Sequence, residues 1–142
     1  MRNRAEDVSP QVLIGAASLS ADNTPPAVAL AGFNSCTILI AVGIGGITFT
    51  GSNKIEFKLT ESDNGTDYTA VSDDDVAGAT VGTGGIILSL VEEHAAAAVY
   101  EFSYVGDAQH LKLLADFSGT HGSGTPIAAL AVLGDPVTRP AA

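Results

Sequence analysis

Six carboxylates, Glu61, Asp63, Asp67, Asp73, Asp74 and Asp75, crowd into one short stretch of the chain. Calcium prefers several oxygen ligands on a flexible loop, so this cluster is the first place to look for chemistry. The segment Asp63-Asn64-Gly65-Thr66-Asp67 does not lead to the bidentate Glu that closes an EF-hand loop. Paired carboxylates can also do acid–base work, but only in a cleft that raises one pKa. The plainer expectation is a solvated acidic hairpin end that keeps the protein soluble. No metal, cofactor or catalytic residue is expected.

The other reactive groups read the same way. His94, His110 and His121 are far apart and have no thiol or carboxylate at zinc-ligand spacing. They are expected on the surface or in loops. Gly43-Ile44-Gly45-Gly46 lacks a following Lys-Ser/Thr and a helix, so it predicts a strand-connecting turn and not a phosphate loop. Ser118-Gly119-Thr120-His121-Gly122-Ser123-Gly124 brings Ser near His without an orienting carboxylate. With no Gly-x-Ser-x-Gly elbow, it predicts a wide loop. Cys36 is the single cysteine and lies in the apolar run Cys36-Thr37-Ile38-Leu39-Ile40, which suits a buried thiol.

Charge narrows the partners. A net charge of −10, with only Arg2, Arg4, Lys54, Lys58, Lys112 and Arg139 basic, argues against nucleic acid. The charged start Met1–Asp7 has no apolar core behind it, so no signal peptide is expected. No run approaches the ~18 apolar residues of a membrane span. The expectation is a soluble protein made in the cytoplasm, with no membrane partner. Arg2, Arg4 and Arg139 fall in the terminal segments, where they are candidates for pairing with carboxylates on a neighbouring subunit.

These groups must be held by strands. Ile55, Phe57 and Leu59 alternate with Glu56, Lys58 and Thr60, the period of a half-buried strand. Asp63-Asn64-Gly65 turns the chain, and Tyr68 to Val71 returns it. Further strands are expected at Gln11–Leu19, Ala27–Leu30, Thr37–Val42, Ile47–Thr50, Ile86–Leu90, Val99–Val105 and Leu111–Phe117. Ile127–Leu133 is apolar on both faces, as in a strand covered twice or facing a partner. Good helix formers from Val91 to Ala98 predict one or two helical turns. Eight or nine short strands at regular spacing indicate an all-β fold, an antiparallel β-sandwich with the jelly roll as its leading form. The expected layout is an N-terminal arm at 1–9, one domain at 10–135 and a tail at 136–142, with flexible termini.

The run Ile55 to Gly65 together with Tyr68-Thr69-Ala70-Val71 resembles small structural proteins of tailed bacteriophages and prophages. So do Tyr104-Val105-Gly106-Asp107, Leu111-Lys112-Leu113, Asp116-Phe117-Ser118-Gly119-Thr120 and Ala131-Val132-Leu133-Gly134-Asp135-Pro136. The resemblance implies a β-sandwich virion protein, most like a capsid decoration (cement) protein on the capsid exterior. It implies binding to the major capsid protein and a homo-oligomer on the shell. It carries no functional residue with it. The alternative expectation is a carbohydrate-binding module, which would need exposed aromatic faces. Only Tyr68, Tyr100, Tyr104 and five Phe are available, most of them on apparent core faces. An enzyme ranks third, for want of an assembled constellation.

Overall fold

Alternating apolar residues build two antiparallel sheets that close on each other. The computed structural model describes residues 1 and 3–138. One sheet runs β1 (Val8–Leu19), β10 (Thr125–Pro136), β3 (Phe33–Val42), β8 (Ala98–Tyr104) and β6 (Val76–Ala77). The other runs β2 (Val28–Ala29), β9 (His110–Ser118), β4 (Lys54–Ser62) and β5 (Thr69–Ala70), with β7 (Ile86–Leu90) also paired to β4. The fold is an all-β sandwich. Without the two-residue β5 and β6, the order β1-β10-β3-β8 faces β2-β9-β4-β7, and each connection except β4–β7 crosses between sheets. This is a jelly-roll winding.

The core lies where the inward rows meet. Ile55, Phe57 and Leu59 of β4 are fully buried, as are Ile38 and Ile40 of β3 and Leu111 and Leu113 of β9. Burying side chains of this size contributes about 1.5–3 kcal/mol each, which offsets the cost of ordering the strands. The edge of β9 is managed by side chains. Beyond the short β2, Asn23 accepts from Ala115 N (2.8 Å) and donates to Leu113 O (3.3 Å), while Asp22 accepts from Phe117 N (2.7 Å). These contacts satisfy groups that a neighbouring strand would otherwise take.

Several elements differ from expectation. Among the described residues ten strands form in place of eight or nine: β5 is the expected return at Tyr68–Val71 cut to two residues, and β6 is an addition. The first strand starts at Val8, inside the segment expected as an arm, because Val8 and Ser9 pair with Gly134 and Leu133. Pro136, expected in the tail, closes β10 opposite Phe33. Ile47–Thr50 joins no strand, although Phe49 is buried. No helix forms at Val91–Ala98. His94 O instead accepts from Gly45 N (2.8 Å), and Ala98 begins β8 opposite Val42. Tertiary pairing overrides helix propensity here.

Candidate functional site

The acidic cluster gathers at one end of the sandwich. Glu61 is the next-to-last residue of β4, Asp63 and Asp67 sit in the turn after the strand, and Asp75 ends a 3₁₀ turn at Asp73–Asp75. With Asp107 they line an open cleft of about 410 Å³. The turn itself is internally satisfied. Ser62 Oγ accepts from Gly65 N (3.0 Å), and Asn64 Oδ1 accepts from Thr66 N and Asp67 N (both 2.8 Å). Asn64 spends its oxygen on its own backbone, as an Asx turn does. Among the described residues, no three His, Cys, Asp or Glu side chains come together in a metal-holding group.

Glu61 is the chemically distinctive member. The Tyr104 hydroxyl donates to its carboxylate, joining the two sheets, and Ala108 N donates to the same hydroxyl (3.1 Å). Burial raises the Glu61 pKa, and the nearby Asp75 and Asp63 add to the rise, against the Tyr104 donation that favours the ion. Burial, then the Glu61 hydrogen bond, pushes the Tyr104 phenol up as well. A carboxyl with a higher pKa folded than unfolded keeps its proton preferentially in the folded state. Protonation therefore stabilises the fold, and stability falls as pH rises from the ordinary glutamate value through the raised one. Urea midpoints measured across that window should decline for the wild type and stay flatter for Glu61→Gln.

The remaining candidates are structural. His94 Nδ1 donates to Gly43 O (2.8 Å), which leaves Nε2 to accept from the Tyr100 hydroxyl (2.9 Å). This histidine locks the glycine turn onto β8. A Cβ on Gly46 would run into the carbonyls of Ser123 and Gly124, and Gly46 N donates to Thr125 Oγ1 (3.0 Å). The turn is packed against protein, so it cradles no phosphate. His121 Nε2 donates to the Ser118 backbone carbonyl (2.8 Å), while its ring packs edge-on to Phe117. The pair is not a nucleophile and base. Cys36 is buried, and desolvation pushes its thiol up to about 11, far from a reactive thiolate.

Of the three arginines expected to contact partners, Arg2 and Arg139 lie outside the described residues. Arg4 is exposed and reaches Asp7 at 3.8 Å. The aromatics are mainly internal: Phe49, Phe57, Phe102 and Tyr104 are buried. Tyr68 is half-buried beneath the Lys112 ammonium, 4.3 Å from its ring centroid.

What sequence reasoning did not see is a contrast between the two outward faces. On the β9–β4 face stand Lys54, Lys58 and Lys112, with Lys58 paired to Asp116 at 2.6 Å and Lys54 to Glu56 at 3.4 Å. The outward face of β1-β10-β3-β8 is apolar. Val12, Leu130 and Leu39 stand in one row ending in Glu101, and Ala128, Ala41 and Val99 form the next. The signal was the doubly apolar run in β10, of which Ala129, Ala131 and Leu133 face the core and Leu130 faces out. Against known proteins, no family model, curated sequence or solved structure matches the chain.

Proposed function

We propose that this chain is a structural virion protein that binds and stabilises a phage capsid shell as a decoration protein. The single observation that supports the reading is the two-faced sandwich. One broad face is apolar, with Glu101 the one charge in its central rows, and the other is laced with ion pairs and carries all three lysines. A protein that reinforces a shell needs contact area on two sides, one toward the shell and one toward neighbouring copies. It does not need an enclosed pocket. The resemblance in β-strand and turn patterns adds weight, and jelly rolls serve in viral capsids, though a fold alone assigns no function.

The partners in this reading are the major capsid protein and further copies of the chain, on the capsid exterior. Neither nucleic acid nor a membrane is involved, because a body of net charge −10 repels phosphate. The arginines of the termini supply charge-assisted contacts to shell carboxylates. Co-sedimentation with empty shells assembled from the capsid gene of the same genome tests the proposal. Binding should saturate at a fixed number of copies per shell. Removing residues 1–7 spares every strand pair, since β1 starts at Val8. The truncated protein should keep its melting temperature but bind shells more weakly, most visibly at low salt. Failure of the full chain to sediment with shells would end the reading.

A further inference from the structure

Among the described residues no strand covers the outward face of β1-β10-β3-β8; only its Gly134–Ser35 end meets the start of the chain, where Arg4 and Asp7 line a cleft with Thr37 and Val132. Val12 is 52% exposed, Val99 66% and Leu130 38%, and they share adjacent rows. Between Ala16 on β1 and Val99 on β8 the surface dips into a shallow groove of about 580 Å³, floored by Ala41 and Ala128. Soluble monomers rarely leave so continuous an apolar surface open.

We propose that a second copy of this chain covers this face, sheet against sheet, in a two-fold dimer. Area supports the assignment. Four strands ~4.8 Å apart, apolar over about seven residues at ~3.3 Å per residue, offer roughly 450 Å² per copy in plan. Two copies would bury about 900 Å², below the range of stable interfaces but above most packing contacts, as in weak transient pairs. The dimer is therefore weak and transient.

Charge points to the same occupant. Two bodies of net charge −10 repel, and they can touch at low cost only where the surface is uncharged. In the strand rows from Ala128 and Ala41 to Val132 and Thr37, Glu101 on β8 is the only charged residue, and Arg4 and Asp7 flank only the Val132–Thr37 end. An oppositely charged partner would find almost nothing to pair with there. The matching surface for an apolar sheet with so few charges is another one, and the chain itself supplies it. This interface deepens the self-contact in the proposed function and rests on that reading for its setting. It is tested on free protein, so shell binding can fail while the dimer stands, and the reverse.

Analytical ultracentrifugation of the full chain, from micromolar to near-millimolar concentration at low and high salt, decides the matter. The expected result is a monomer–dimer equilibrium that strengthens with salt, because screening relieves repulsion between like-charged bodies. Leu130→Lys and Val99→Asp both point outward and should keep the native melting profile. Each should weaken the dimer at least tenfold. A protein that stays monomeric throughout would overturn the proposal. So would an association that salt abolishes, or one that both variants leave unchanged.

Discussion

Phe57→Ala should lower stability by about 3–5 kcal/mol, the usual cost of emptying a buried aromatic site. Phe57 is fully buried on β4, with Ala115 of β9 on one side and Leu88 of β7 on the other. Sheet pairing fixes the backbone on both flanks, so the walls cannot collapse into the space. At this chain length the loss corresponds to roughly 10–20 °C in melting temperature. Thermal unfolding followed by circular dichroism checks it. Val99→Ala on the outward face is the control and should move stability by no more than about 0.5 kcal/mol in the monomer. A loss below about 1 kcal/mol for Phe57→Ala would mean that the inward row of β4 is misassigned.

Gly85→Ala should cost about 2–4 kcal/mol, from two separate causes that act at one residue. Gly85 has φ +84°, in the left-handed region where a Cβ is strained. The added Cβ would also collide with the Leu59 carbonyl and press on Val71 N at 3.4 Å. The backbone cannot give way cheaply, because Gly85 O accepts from Leu59 N (2.9 Å) and Gly85 N donates to Gly82 O (3.1 Å). Gly51→Ala, where a Cβ meets nothing within 4 Å, should change little. Denaturant midpoints of the two variants, compared side by side, separate local strain from general loss of glycine. Equal midpoints would remove the case for a conformational demand at Gly85.

The strands with a clean period of two were legible. β4, β8 and β9 appear within about a residue of where the alternation put them, because one face of each is core and the other is not. Cys36 and the glycine turn were also legible, since neither had the neighbours that reactive chemistry requires. Other features depend on contacts distant in sequence. β1 begins at Val8 only because β10 lies beside it, and the segment Val91–Ala98 is drawn onto the Gly43–Gly46 turn by His94. The Tyr104–Glu61 bond and the Asn23 cap on β9 join residues far apart in the chain. Local propensity holds no information about such partners. The apolar outward face was half visible. The doubly apolar run in β10 announced it, but the contributions of Val12, Leu39 and Val99 required the strand order.

The most direct measurement of the central claim is the thermal stability of empty shells with and without saturating amounts of this protein. A decoration protein binds the assembled shell in preference to its disassembled subunits, so it must raise the shell's transition temperature by mass action. The account predicts a rise that grows with occupancy and levels off when the sites are filled. An unchanged transition at full occupancy, or no occupancy at any concentration, would contradict it.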